Sequence, residues 1–412
     1  MGLTAALLRA GAQRPHVLTV TMPGGTAVRL EVEAELRRRG WPAAMTPADA
    51  DVLLVVGQVS GDLAGVCEEI WREMPAPRTR AHVARPGEAA AALDTSRAEL
   101  AAGTGQLAVM DAGVAMNHGG HEGGARRPGG VDRADNANAD ANVSDQDMGM
   151  EMPAGLAMAE RGDDRDGLKL DQLHVPLGPV LPDWPSGLVL HLTLQGDVIQ
   201  QADVSVVGWG AGDGSFWTEP WRRAWAEPVS TGQAARRRLA AHLDSLGRFL
   251  AVAGWDDAAT AARRLRDDVL AAAPSTRLAP AVHRLTRRVS RSGALRWSTG
   301  GLGVLTAADA AAAGVSGPAL RAVGDVTVRY RRWCAELVAA TAVLDDRSSL
   351  DTTAFRPPRG EVGGAEAPSA ALLAVLPRLL TGSEFAAARL IVASLDPDLD
   401  ELSVPGQGGH GH

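Results

Sequence analysis

The N-terminal part of the chain alternates between short apolar runs and longer charged segments with helical spacing. The run at 51–57 (DVLLVVG) is apolar after its first residue, as in a strand that is buried on both faces. The predicted strands are 16–20, 51–57 and 80–84, and the helices that follow them are 26–39, 62–74 and 87–101. Strands and helices in turn at this spacing predict a parallel α/β domain over residues 1–102.

Residues 103–165 show neither the strand nor the helix period. Gly, Asn, Asp and Ala dominate, so the segment is predicted to be a disordered linker. Its candidate metal ligands are two histidines and a Met-x-Met-x-Met run: His118, His121, Met148, Met150 and Met152. Imidazoles and thioethers suit soft copper, so the segment is either a copper- or nickel-handling tract or a plain solvated linker.

Strict alternation returns at 188–194, where every second residue is leucine. A tight turn at 195–197 and a second strand at 198–206 follow. This pattern predicts a hairpin on a half-buried antiparallel sheet, within a domain that spans residues 166–230.

Helical periodicity dominates residues 231–402. The predicted helices are 232–253, 256–270, 279–292, 326–344 and 370–380, and they form a bundle. Arginine clusters on these helices include Arg263 and Arg329. They are interpreted first as solvated surface and second as contacts for an acidic partner or anionic lipid. Residues 403–412 are predicted to be a flexible tail.

Composition narrows the function classes. The chain has 412 residues and a formal net charge of −8, which allows two or more domains and argues against a nucleic-acid partner. It contains no run of about 18 apolar residues, so no transmembrane segment is predicted. Its two cysteines, Cys67 and Cys334, are too few for a four-cysteine iron–sulfur cluster or a nickel–iron centre, and are interpreted as buried free thiols.

A glycine-punctuated stretch at 299–324 (TGGLGVLTAADAAAAGVSGPALRAVG) is the most informative motif. Thr306 is placed to cap a short helix that Gly314 ends. The stretch closely resembles a segment of the large quinone-site subunit of respiratory complex I, which is homologous to the large subunit of NiFe hydrogenases. The resemblance continues through the hairpin and through RPPRGEVG (356–363) to the segment 368–397.

Residues 48–78 are similar to the small, cluster-bearing subunit of complex I, which has a flavodoxin-like core. Where that family places cysteines, this chain has Met-Pro-Gly-Gly at 22–25 and Arg-Pro-Gly at 85–87. The resemblance therefore implies the fold of the small subunit without its cluster.

The resemblance also implies site residues. The expected wall of a quinone cavity comprises Gly178, Pro179, Pro182, Gly317, Pro318 and Arg321. Where the family presents a histidine to the quinone, this chain has Asp183, which could act there only when protonated and is otherwise a turn residue. His242 falls on a family His-Leu pair, and is either a site residue or a core histidine with one satisfied nitrogen. Glu361 is a further carboxylate candidate or a turn residue.

These features imply an α/β plus α+β chain: a flavodoxin-like parallel domain, a linker, a small antiparallel sheet and a shortened helical bundle. The leading hypothesis is a soluble-arm subunit of a complex-I-like or hydrogenase-like assembly on the cytoplasmic face of the cell membrane. It would have no redox centre of its own and would couple or gate a proton-translocating module. Its expected partners are membrane subunits that resemble the quinone-channel and antiporter-like subunits of complex I.

Two alternatives stay open. One is a working protein that resembles the large quinone-site subunit of NADH-quinone oxidoreductase and reduces quinone with electrons from a cluster on another subunit. The other is a metal-handling accessory protein that uses the His/Met-rich linker. No cofactor other than quinone or copper is expected.

Overall fold

The computed structural model describes residues 11–59, 61–102, 160–163, 169–208, 214–351, 357–360 and 367–402. The N-terminal domain contains three parallel strands in the order β1 (Val17–Thr21), β2 (Val52–Val56) and β3 (Thr79–Val83). All five residues of β2 are buried, as expected for a central strand with both faces covered. The predicted parallel α/β layer is confirmed.

Three helices cover the two faces of this sheet: α1 (Thr26–Arg39), α2 (Gly61–Glu73) and α3 (Ala89–Ala102). Because successive strand residues point to opposite faces, β2 contributes to two apolar clusters. Leu54 packs with residues of α1 and α3, whereas Leu53 packs with residues of α2, including the buried free Cys67. The α1 boundaries match the prediction, and the helix ends at Gly40 in the left-handed conformation.

The second sheet is antiparallel, in the order β4 (Glu160–Asp163), β5 (Lys169–Leu177), β6 (Leu188–Gln195) and β7 (Val198–Val206). The predicted hairpin is confirmed as β6 and β7. The other two strands were not predicted. β5 lacks clean alternation and contains Pro176, and β4 lies within residues 103–165, which were predicted to be linker.

The predicted helical bundle is confirmed. Its helices are α4 (Glu219–Arg223), α5 (Thr231–Val252), α6 (Asp256–Leu270), α7 (Ser275–Ser290), α8 (Gly293–Thr299), α9 (Ala307–Ala312), α10 (Gly317–Leu320), α11 (Val326–Thr341), α12 (Pro368–Leu380) and α13 (Phe385–Leu395). Helix α5 is central: Phe249 is fully buried and stacks on Tyr330 of α11, with ring centroids 5.3 Å apart. The core of the bundle is continuous with the buried leucines of β6.

The 299–324 stretch folds as predicted around its short helix. The Thr306 hydroxyl accepts a hydrogen bond from the Asp309 backbone N–H (3.1 Å), and Gly314 follows the helix with positive φ. The two ends of the stretch meet where Leu305 and Gly324 exchange backbone hydrogen bonds of 2.8 Å.

Arg329 holds this stretch in place from α11. It donates hydrogen bonds to the carbonyl oxygens of Gly303 and Gly324, both 2.9 Å, and to the Ser394 hydroxyl. The residue is 2% exposed, so its assignment to solvated surface was wrong. Burial lowers the pKa of its guanidinium to about 10, which leaves it charged at neutral pH. The cation therefore serves as a structural donor to turn carbonyls.

Gly178 ends β5 with φ of +109°, and a Cβ atom there would collide with the Leu188 carbonyl oxygen and lie 2.9 Å from the Trp184 indole nitrogen. We expect Gly178→Ala to destabilise the protein by about 3 kcal/mol or more in urea unfolding, because the strain cannot relax. The control Gly196→Ala also has positive φ but meets nothing within 4 Å, so it should cost only about 1 kcal/mol. Equal effects at the two glycines would contradict this account.

Candidate functional site: a charged cavity between the domains

A cavity of about 770 Å³ lies between the parallel domain and the helical bundle. Residues of β1 and α1 form one wall, and residues of α5, α6 and the segment 397–400 form the opposite wall. The loop 179–186, which connects β5 to β6, lines it as well. The volume is within the range of small-molecule sites, and such sites commonly form between domains.

The loop is fixed to both domains by hydrogen bonds. Within it, the Trp184 indole N–H donates to the Leu188 carbonyl (2.7 Å). The Ser186 hydroxyl donates to the Thr21 carbonyl of the parallel domain, and Arg389 of α13 donates to the Pro182 carbonyl (2.5 Å). The cavity wall is therefore positioned by two elements that are far apart in sequence.

Asp183 lies at the centre of this loop, in the left-handed backbone region with φ of 58°. Its carboxylate forms an ion pair with Arg263 of α6, and both residues line the cavity. Burial raises the pKa of the Asp183 carboxyl, and the Arg263 guanidinium offsets only part of this effect. The carboxyl can therefore take up a proton more readily than an exposed aspartate.

A buried network of ion pairs joins the domains beside the cavity. Asp244 of α5 accepts hydrogen bonds from Arg29 of α1 (2.7 Å) and from Arg266 of α6 (2.5 Å). Arg266 is 0% exposed and also donates to Glu33 of α1 (2.8 Å). Burial alone would raise the pKa of the Asp244 carboxyl, but Arg29 and Arg266 together hold it well below its usual value. The network is therefore fully ionised at neutral pH.

A second charged cluster lies at the C-terminal side of the cavity. The two Asp396 oxygens accept hydrogen bonds from Arg248 and Arg359. Asp400 accepts one from the Gly24 backbone N–H (2.6 Å), which ties this segment to the parallel domain. Burial raises the pKa of the Asp398 carboxyl well above its usual value, and the neighbouring charge of Asp400 adds to the shift.

The structure brings only some of the predicted site residues together. Pro179, Pro182 and Asp183 line the cavity, and Gly178 immediately precedes them. The other three members of the expected wall lie outside it. Gly317 packs against Gly360, Pro318 borders a separate void of about 10 Å³, and Arg321 pairs with Glu336 (3.0 Å). Five candidate metal ligands and one carboxylate candidate lie outside the described residues: His118, His121, Met148, Met150, Met152 and Glu361.

His242 lies in the core of the bundle on α5 and does not line the cavity. Its side chain is 0% exposed, as predicted for a core histidine, but neither ring nitrogen has a hydrogen-bond partner among the described residues. The hydrogen bond expected at one ring nitrogen is therefore not found among the described residues. Burial lowers the pKa of this imidazole to about 3, and the nearby Arg359 guanidinium contributes to the shift. The imidazole is therefore neutral at neutral pH, as expected where no described carboxylate forms a hydrogen bond with it.

The charged residues around the cavity were missed or misassigned from sequence. Arg263 was interpreted as surface, whereas its side chain is mostly buried against Asp183. The one local signal is the position of Asp244, a charge directly beside Leu243 on the apolar side of α5. A charge at such a position needs a buried partner, but the spacing does not say which one.

No helix in the described part of the chain is long and apolar enough to cross a membrane. Among the same residues, no group of three or more His, Cys, Asp or Glu side chains is arranged to hold a metal ion.

Neither protein-family models nor curated proteins match the chain. Among solved structures, it is similar to a chain of the membrane-bound sulfane sulfur reductase, an archaeal respiratory membrane complex. The TM-score is 0.42 and the identity 16%, over 56% of this chain and 98% of that chain.

We expect Asp244→Ala to lower the free energy of unfolding by about 3–5 kcal/mol, because it leaves Arg29 and Arg266 buried without their shared carboxylate. Urea denaturation at neutral pH measures this change. The matched control is Asp257→Ala, which removes an exposed ion pair with Arg288 (2.7 Å) and should have a far smaller effect. A small effect at Asp244 would contradict the view that Arg29 and Arg266 depend on this carboxylate for their charge balance.

His242 should make the protein less stable as the pH falls below about 6.5, because the unfolded chain then binds a proton that the folded chain excludes. Between pH 7 and 5 this histidine should account for a loss of about 2 kcal/mol. The variant His242→Leu should lack that part of the pH dependence in urea denaturation. The neighbouring control Ser245→Ala, also buried on α5, should keep it. Identical pH profiles for His242→Leu and the unmodified protein would contradict the assignment.

Proposed function

We propose that this chain is a peripheral-arm subunit of a membrane-bound respiratory-type assembly related to complex I or NiFe hydrogenases. It has no redox centre of its own, and it couples or gates a proton-translocating membrane module. The observation that carries the proposal is the cavity between the two domains. Residues of β1 and α1, in the domain that resembles the small subunit, form one wall of it, and the loop that resembles the quinone loop of the large subunit contributes to the rest.

The ion-pair network supports a coupling role. It links α1 of one domain to α5 and α6 of the other through Arg29, Asp244 and Arg266. A change at the cavity that moved α1 would have to break or re-form buried charge pairs, which favours discrete arrangements over gradual deformation. Such an element can pass a change at one surface to a partner at another surface.

The cysteine content supports the absence of a redox centre within this chain. Its two cysteines are both buried and lie in different apolar clusters, Cys67 in the parallel domain and Cys334 in the bundle. Burial raises the pKa of both thiols, most strongly for Cys334, to about 11. They are therefore protonated at neutral pH, and thiols in this form are poor metal ligands.

A second candidate function is quinone reduction with electrons from a cluster on another subunit. The position and pKa of Asp183 favour it, because a carboxyl that is protonated more readily than usual could deliver a proton to a quinone oxygen. The ion pair with Arg263 opposes this role, since it stabilises the unprotonated form. The coupling role needs no such proton transfer and remains the main proposal.

The experiment is a pull-down of the tagged chain from gently solubilised native membranes, with partners identified by mass spectrometry and iron, nickel and copper quantified in the eluate. We expect channel-like and antiporter-like membrane subunits to co-elute without stoichiometric iron. Membranes that contain the untagged chain are the control for unspecific capture.

Two outcomes would overturn the proposal. Stoichiometric iron together with a cluster-binding partner would favour the quinone reductase. A metal-bearing chain without membrane partners would exclude both functions and favour the metal-handling alternative.

A further inference from the structure

Arg359 has unused hydrogen-bonding capacity beside the cavity. It is 5% exposed and lines the cavity, and its Nε and Nη1 groups have no hydrogen-bond partner among the described residues. Its Nη2 group donates to Asp396 (2.5 Å), but Arg248 shares that carboxylate. Leaving charged N–H groups buried and unpaired is costly, so their presence beside a cavity points to a ligand that accepts from them.

A second arginine extends this positive wall. Arg389 of α13 lines the cavity and donates to the Pro182 carbonyl (2.5 Å), but it forms no ion pair with a carboxylate of the described residues. Its Nε group is also buried without a partner in that part of the chain. The guanidinium groups of Arg359 and Arg389 thus bring more positive charge to the cavity than the shared Asp396 balances.

The acidic side chains nearby also bond to groups other than these arginines. Asp398 accepts hydrogen bonds from the Ser215 hydroxyl and from the Asp400 backbone N–H, and Asp400 accepts one from Gly24. Because burial and its acidic neighbours raise the pKa of Asp398, its charge offsets the arginines less than an ordinary carboxylate would. The two guanidinium groups are therefore only partly neutralised by the carboxylates around them.

The rest of the wall is largely apolar. Trp41, Ile70, Leu181, Trp184 and Val252 line the cavity, and Leu181 adjoins Pro182, whose carbonyl Arg389 contacts. An apolar surface beside paired cations suits a molecule with a charged head and an apolar body.

We propose that the cavity binds a small amphipathic anion, with its carboxylate or phosphate oxygens on Arg359 and Arg389 and its apolar body against Leu181 and Trp184. This inference rests on the same cavity as the proposed function and names the class of ligand that occupies it. Guanidinium groups suit this ligand because each presents several N–H donors to an oxyanion.

The test is isothermal titration calorimetry on the purified full chain with octanoate, octyl phosphate, inorganic phosphate and 1-octanol as probes. We expect saturable binding of octanoate or octyl phosphate, with the tighter of the two identifying the head group. Inorganic phosphate and 1-octanol should each bind at least tenfold more weakly, because one lacks the apolar body and the other lacks the charge.

The variant Arg389→Gln should weaken binding of the preferred probe about tenfold or more, the effect of one charge-assisted contact. Arg284→Gln, at an exposed position on α7, is the matched control and should bind like the unmodified chain. Arg389→Lys keeps the positive charge but lacks the planar set of N–H donors of a guanidinium group. This variant should bind the preferred probe with intermediate affinity. Thermal unfolding of each variant shows that it is folded.

Three results would overturn the proposal: no saturable binding of either amphipathic anion, equal binding of 1-octanol, or unchanged affinity in Arg389→Gln. Because the titration uses the isolated chain, its failure is distinguishable from failure of the pull-down, which tests membrane partners. If the anion binds but the pull-down finds no membrane partners, the binding site is supported and the proposed membrane assembly is excluded.

Discussion

The carboxylate of Asp244 is the contact on which the rest of the structure depends. It accepts hydrogen bonds from Arg29 of the parallel domain and from Arg266 of the bundle, and all three side chains are buried. Separated domains would expose these charges to water, whereas the docked arrangement removes water and supplies the counter-charge. Buried ion pairs of this kind add little net stability. Removing one partner is nevertheless strongly destabilising, because it leaves the other charges buried and unpaired. The cavity exists because this contact holds α1 against α5 and α6.

Helix α1 shows how one short element serves both domains. Its Val28, Val32 and Leu36 pack in the cluster under the parallel sheet, while Leu30 belongs to the core of the bundle. Arg29 and Glu33, which lie between these positions, face the network. Because one face carries an apolar stripe, a second face carries Leu30 and charges lie between them, the helix has no single polar side. The sequence pattern predicts a helix here but does not reveal a docking surface.

The predictable part of the fold is the part with a strong local period. The uninterrupted apolar run of β2 and the leucine alternation of β6 follow directly from which faces are buried, so the strands were found without tertiary information. Arg329 and Arg359 could not be placed in the same way. A buried arginine looks like a surface arginine until its partners are known. The carboxylate that pairs with Arg359 lies 37 residues away, and Arg29 lies 215 residues from its partner Asp244. Pro182 and Asp183 were found as candidates only through the resemblance of their loop.

The most family-like stretch and the cavity differ in how their polar groups are used. In the 299–324 stretch, the carbonyls of Gly303 and Gly324 both accept hydrogen bonds from Arg329, although the Nη2 group of Arg329 is itself buried without a partner among the described residues. At the cavity, Arg359 and Arg389 have buried N–H groups without partners in the described chain. Such unpaired groups are costly anywhere in a fold, but at the wall of a cavity a bound ligand is able to relieve the cost. The 299–324 stretch thus holds one end of the bundle together, and the cavity is the place where the proposed anion would offset the cost of the buried cations.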